Sequence, residues 1–272
     1  MDSQCEIEVL VSTIGADGLQ RLAASVLPQV PGVRYTIGCQ QGNDDVRTLM
    51  SLGDSLFGGR NDMSLRILPG HGLSRSRNML LDAAVGDILI FADDDIDFNA
   101  EAFNRLRDFF RMNPEADIIK TRLQLSGRLM GGPKSRRLST HSLRGVYAPS
   151  CSLLVRRQSL GGLHFCEKLG LGTNLPAGED DVFMCQAIRS GLVGFYTPIQ
   201  LVVHKGLSTN EKKQTAAVLR ARGLVLSYVN PRTWRLRAAL LAHRLCPGKW
   251  RETFRLLSDG ARALSDIPEL RQ

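Results

Sequence analysis

The chain has 272 residues, 43% of them hydrophobic and 23% charged. That balance supports a sizeable core and excludes disorder as the default state. A net charge of +8 predicts an anionic partner, without choosing among nucleic acid, an acidic membrane face and phosphorylated small molecules.

The N-terminal stretch MDSQCEIEVLVSTIG has no basic region, and Glu8 breaks its short apolar run. It reads as a first strand, Glu6 to Thr13, and not as a signal peptide. Leu19 to Leu27 predicts a helix stopped by Pro28, and Arg34 to Gln40 a second strand. Leu73 to Ala84 predicts a helix with Ser74 as N-cap and Gly86 as its stop. Asp87 to Ala92 is a continuous apolar strand of the kind buried on both faces, which favours a parallel sheet. Ala100 to Met112 is an amphipathic helix ended by Asn113-Pro114. This alternation predicts a doubly wound α/β sheet.

Arg122 to Arg144 is polar, glycine-bearing and basic, and reads as loops or a hairpin over one end of the sheet. Val146 to Arg156 returns to strand character. Gly178 opens a helix capped by Gly191, and Ile199 to Val203 is a short strand ending at His204. Beyond about Gln214, Leu219 to Val229 and Arg235 to Leu245 are helix-like. The expected division is an α/β domain over 1–213, with halves of about 1–98 and 99–213, and a basic amphipathic helical extension over 214–272. No apolar stretch approaches the roughly 20 residues that span a bilayer. The six cysteines are scattered, with no Cys-x-x-Cys pair, and read as reduced thiols of a cytosolic protein.

The stretch ILIFADDDIDF, residues 88 to 98, drives an apolar strand into Asp93, Asp94, Asp95 and Asp97. Carboxylates this close need a cation. Ligands of open α/β sheets sit beyond the carboxyl ends of the strands. Asp93 and Asp95, two residues apart, point the same way in an extended chain. With positions left for phosphate oxygens and water, they suit Mg²⁺ or Mn²⁺. The competing reading is a solvated acidic turn. A second acidic motif, Glu179-Asp180-Asp181, opens the helix after a glycine-rich loop. Acids there also favour the helix dipole, so ordinary capping is the competing reading.

The run GLSRSRNMLLDAAVGDILIFADDDIDF resembles the donor-binding core of family 2 glycosyltransferases, which have the GT-A fold. The matching residues are Arg77-Asn78, Gly86-Asp87 and Asp93-Asp94-Asp95, followed by Gly178-Glu179-Asp180. The resemblance covers roughly residues 5 to 210 and leaves the extension outside. It implies an inverting, metal-dependent transfer of a sugar from a nucleotide-sugar donor, with a UDP-sugar expected. The acceptor would be a hydroxyl of a glycan or lipid-linked acceptor, in bacterial surface polysaccharide synthesis. It implies that Asp93 lies near the ribose, that Asp95 holds Mn²⁺ or Mg²⁺ on the diphosphate with Asp93 and His204, and that Asp180 is the general base. Glu179 and Asp181 then face the acceptor, while Thr13, Gln40, Arg77, Asp93 and Asp94 face the donor. One departure stands out: the second strand ends in Gln40-Gln41-Gly42-Asn43-Asp44, where the family has Asp-Asp-Gly-Ser. The Gln40 amide both donates and accepts hydrogen bonds, so base recognition is retained in principle.

His204 on residues alone reads as structural sooner than as a ligand, and the resemblance brings the two readings level, while His141 and His164 read as structural. Lys205 and the basic loop from Arg128 to Arg144 either contact phosphate or are solvated. Between residues 232 and 257, Trp234, Leu240, Leu241, Trp250, Phe254 and Leu257 are interleaved with seven Lys/Arg and one acid, Glu252. That pattern fits packing on the domain, an anionic membrane face or nucleic acid, the last least well. The expected location is cytoplasmic, with peripheral contact at the inner face of the cell membrane as one outcome. Two rival functions are a metal-dependent nucleotidyltransferase and a basic nucleic-acid-binding protein without catalysis. STIGADG is a poor nucleotide loop, and carboxylates at a binding face repel phosphates.

Overall fold

A computed structural model of the chain describes residues 6–125, 127–139, 149–205 and 215–270. His141, Arg144 and Cys5 lie outside the described residues. The elements are β1 (Ile7–Ile14), α1 (Gly15–Ala23), β2 (Val33–Gln40), α2 (Val46–Phe57), β3 (Met63–Leu68), α3 (Leu73–Ala83), β4 (Ile88–Ala92), β5 (Ile96–Phe98) and α4 (Ala100–Met112). There follow β6 (Ile118–Leu125), β7 (Arg128–Met130), β8 (Arg136–Arg137), β9 (Leu153–Arg156), α5 (Glu179–Arg189) and β10 (Gly194–His204). The chain closes with α6 (Ala216–Val229), α7 (Trp234–Leu245) and α8 (Trp250–Ala263).

Ten strands form one sheet in the order β3-β2-β1-β4-β9-β6-β10-β5, with β7 on β6 and β8 on β10. The half β3-β2-β1-β4 is wholly parallel. Antiparallel β9 joins it to the parallel pair β6 and β10. The architecture is therefore the expected α/β sheet, parallel in its first half and mixed in its second.

Alternation along β1 and β4 explains why helices cover both faces. Val9, Val11, Ile90 and Ala92 turn to one face, where α1, α2 and α4 supply Leu19, Leu49 and Phe103. Leu10, Leu89 and Phe91 turn to the other, against Leu80 of α3 and Phe183 of α5. Fully burying each large apolar side chain contributes roughly 1.5–3 kcal/mol, so β4 is anchored from both sides. Glu8 does not break β1. It is buried, and its carboxylate accepts from Thr36 Oγ1 (2.6 Å) and from the N–H groups of Val85 and Gly86 (both 2.7 Å).

Several local expectations shift. The first helix is Gly15–Ala23 and not Leu19 to Leu27. The helix α2 and strand β3 were not anticipated. The N-cap of α3 is Gly72; Ser74 lies inside the helix and donates to Leu169 O (2.6 Å), while the helix ends at Ala83, before Gly86. Strand β6 runs on to Leu125 and turns into a hairpin with β7, so the basic stretch after Arg122 is partly sheet. Among the described residues 149–156 only Leu153–Arg156 is strand, and β10 begins earlier, at Gly194. The extension holds a third helix, α8, packed on α6 and α7. Gly223 and Gly260 permit that contact: a Cβ on Gly223 would lie 1.8 Å from Leu257 O, and one on Gly260 1.7 Å from Arg220 O. No described helix is long and apolar enough to cross a membrane, and none of the five described cysteines is disulfide-bonded.

Candidate active site

Strand β4 ends at Ala92, and the chain turns through Asp93, Asp94 and Asp95 into β5. The three acids are in a turn, not an extended run. They nevertheless face one cavity of about 440 Å³. The start of α5 reaches the same cavity with Glu179, Asp180 and Asp181. Gly178, at φ 91°, allows the sharp entry of this helix, since only glycine takes that backbone region without strain.

Arg77 of α3 joins the two acidic motifs. It is 1% exposed. Its Nη2 donates to Asp93 Oδ1 (2.9 Å) and Ser150 Oγ (2.7 Å). Its Nη1 donates to Asp180 Oδ1 (2.8 Å) and Glu179 Oε1 (3.1 Å). The guanidinium also sits 5.4 Å from the centre of the Phe165 ring. Burial works against its charge, but Asp180, Asp93 and Glu179 outweigh that and hold it protonated. Arg77, expected to face the donor, lines the cavity and is the counter-ion of these carboxylates.

Asp180 accepts from Arg77 through one oxygen and from the N–H of Ser150 (2.9 Å) through the other. Its side chain remains 20% exposed, on the cavity. Burial pushes its carboxyl well above the ordinary range, Arg77 opposes this, and Glu179 and Asp93 add to it. Each oxygen keeps a further lone pair for a proton. A carboxylate with a raised pKa is the kind that works as a base near neutral pH.

Asp95 and His204 meet at 3.4 Å, Oδ1 to Nε2. With Asp93 they line the same cavity. Among the described residues no three His, Cys, Asp or Glu side chains form a ready-made metal cage. Mg²⁺ and Mn²⁺ commonly take one or two protein carboxylates and complete their shell from phosphate oxygens and water. Asp93 and Asp95 are the carboxylates on this cavity that would serve in that mode, with His204 beside Asp95.

Asp94 and Asp97 are paired as well. Asp94 accepts from Thr13 Oγ1 (2.5 Å) and from Arg21 Nε and Nη2 (3.1 and 2.9 Å). Asp97 accepts from the N–H of Val26 (2.6 Å) and pairs with Lys205 (2.7 Å), whose ammonium also donates to Ala24 O. Lys205 is thereby tied to the turn.

A second hollow of about 200 Å³ shares Arg21, Leu73, Asp93, Asp94 and Leu171 with the first. Its walls include Ser12, Thr13, Gln40, His71 and Ser76. Gln40 is buried and donates to Gly72 O (3.2 Å). Thr13 and Gln40 thus stand in one lobe, and Glu179, Asp180, Asp181 and His204 in the other. Sequence reasoning missed Arg21, His71 and Ser150. His71 follows β3, a strand that was not recognised, so no strand end was there to mark it. Ser150 sits in a 3-10 turn where a strand was expected. Lys120 of β6 is also buried, and burial brings its ammonium down to about 8 against the opposing pull of Asp181. His164 pairs with Asp82 (2.7 Å), in keeping with a structural role.

No family profile matches the sequence, and no curated protein does. Solved structures do. TarS of S. aureus, residues 1–349 in complex with UDP-GlcNAc, superposes with a TM-score of 0.60 over 97% of this chain and 82% of that one, at 14% identity. The corresponding complex with UDP gives 0.53 over 88% and 70%, at 16% identity. The chain shares the fold of these TarS structures. A longer TarS structure gives 0.56 at 14% identity, and this chain covers only 43% of its length. The superposition on the UDP-GlcNAc complex spans 97% of this chain and so takes in most of 214–272 as well.

Proposed function

We propose that the protein is an inverting, metal-dependent glycosyltransferase that moves a sugar from a nucleoside-diphosphate sugar to a hydroxyl of a glycan or lipid-linked acceptor. The observation that carries this reading is Arg77, which binds an acid of the β4–β5 turn and two acids of α5 at the edge of one cavity. The lobe around Thr13 and Gln40 receives the nucleotide, and a UDP-sugar is favoured because the neighbouring TarS structures hold UDP and UDP-GlcNAc. Asp93, Asp95 and His204 would hold Mn²⁺ or Mg²⁺, which when bound stabilises negative charge on the departing diphosphate. Asp180 takes the proton of the acceptor hydroxyl. The oxygen then bonds to the anomeric carbon while the bond from that carbon to the diphosphate oxygen breaks, and the nucleoside diphosphate leaves from the opposite face. Glu179 and Asp181 stand on the acceptor side. Surface polysaccharide synthesis in the cytoplasm is the setting we assign.

The test is a thermal-shift screen of nucleoside diphosphates and their sugars with and without Mn²⁺, since a ligand of the folded state raises the midpoint by mass action. A metal-dependent shift with UDP or a UDP-sugar is expected, and it should weaken in Asp95→Asn. No shift with any of them at millimolar concentration would end this reading.

A further inference from the structure

Helix α7 carries apolar side chains on two faces. Its buried residues are Ala238 and Ala242, set against Leu219 of α6 and Leu257 of α8. Trp234, Leu241 and Leu245 pack half-buried on the same cluster, while Leu236, 65% exposed, and Leu240, 64% exposed, point outward. A helix that ends at water normally turns its bulky apolar side chains inward. Leu236, Leu240 and Arg244 are spaced four apart and so share one face, on which Arg244 is exposed. Just past the end of α7, Trp250 opens α8 at 38% exposure.

The surroundings are cationic. Arg232, Arg235, Lys249, Arg251 and Arg255 are all exposed, and Glu252 is the lone acid from 232 to 257. Exposed leucines and a tryptophan among arginines match the chemistry of a bilayer interface: apolar side chains enter the acyl boundary while cations meet anionic headgroups. Duplex nucleic acid would satisfy the cations but leave Leu236 and Leu240 in water.

We propose that the outer face of α7, with Trp250 at its end, docks onto an anionic lipid bilayer. The face is rigidly connected to the cleft. Helix α6 packs on both α8 and α5, and Val225 of α6 lies where a Cβ on Gly178 would be, 2.2 Å away. Docking therefore fixes how the acidic cleft is presented to the membrane surface. The proposal stands on the surface alone and does not depend on the transfer chemistry.

The experiment is sedimentation of the full chain with vesicles of phosphatidylcholine alone or mixed with phosphatidylglycerol, compared with Leu236→Glu/Leu240→Glu. Binding to the mixed vesicles only, with a blue shift of tryptophan emission, is expected. The double variant should bind about tenfold more weakly or worse, because two apolar side chains no longer enter the interface. Circular dichroism and the thermal midpoint check that the variant is folded; if it is not, Leu240→Ser and Arg244→Glu take its place. Absence of binding to anionic vesicles overturns the proposal. So does binding that ignores the leucine changes. Tight binding to duplex DNA in place of vesicles, or a dimer that Leu240→Ser dissociates without any vesicle binding, overturns it in favour of nucleic acid or a second copy.

Discussion

Arg77 and Arg244 both sit on helices, and they obey opposite rules. Arg77 is enclosed, and its charge is matched by Asp93, Glu179 and Asp180 within 3.1 Å. Arg244 stands in water beside exposed leucines. A buried charge is tolerated only with partners and good geometry, so it organises what surrounds it. A surface charge keeps its hydration and contributes little to folding. The cleft should therefore be intolerant of small chemical changes, and the outer face of α7 tolerant of large ones.

The sharpest break in that contrast would come from Asp180→Asn. Turnover should fall by roughly 10²–10⁴-fold, the usual worth of a positioned base, while donor binding by calorimetry stays near wild type. Asp181→Asn should leave most turnover intact. In the wild type, kcat/KM should fall as the pH is lowered through the raised pKa of Asp180, because the base works only when deprotonated. A flat acid limb, or retained turnover in Asp180→Asn, moves the base elsewhere.

Arg77→Met comes next. It leaves three carboxylates without their cation, and loss of one partner from a buried pair typically costs about 3–5 kcal/mol. Urea denaturation at pH 7 reads this directly. The deficit should shrink at lower pH as the stranded carboxyls take up protons.

Lys120→Met should move stability the other way. The ammonium is buried and titrates near 8 in the fold against an ordinary value near 10.5. Between those values the unfolded chain binds the proton and the folded chain does not, so this group's contribution to stability rises with pH. At neutral pH its burial is a liability, and the variant should gain roughly 1–3 kcal/mol. The gap between variant and wild type should narrow from pH 8 to 10; a constant gap would show that the gain has another source.

The smallest effect belongs to Leu236→Glu and Leu240→Glu. Exposed substitutions away from packed features usually stay within about 0.5 kcal/mol, and the thermal midpoint should barely move. A large loss would mean that these leucines are packed in the isolated protein.

Much of the cleft could be read along the chain because its residues lie close together there. ILIFA needs burial on both faces, so it marks a central strand, and the acids after it mark a strand end facing a ligand. Gly178 before three acids marks the start of α5. Strand β3 was overlooked although its pattern is there. MSLRIL alternates, with Met63, Leu65 and Ile67 half-buried on the core and Ser64 and Arg66 exposed, but as a sheet-edge strand it fully buries only Leu68 and makes no continuous apolar run like ILIFA. Ser74 was misread because a serine near a helix start resembles a cap, whereas its hydroxyl is claimed by Leu169 O, 95 residues away.

Local pattern alone determined the α/β class, the buried central strand and the two acidic motifs, because hydrophobic period and turn chemistry act over a few residues. Only the tertiary structure decided which cation each acid meets. Asp94 and Asp97 pair with Arg21 and Lys205, partners 73 and 108 positions distant in the chain, and Arg77 ties Asp93 to Glu179 and Asp180 in one buried network. Ion pairing and burial depend on distance in space, and no run of neighbours along the chain encodes that distance.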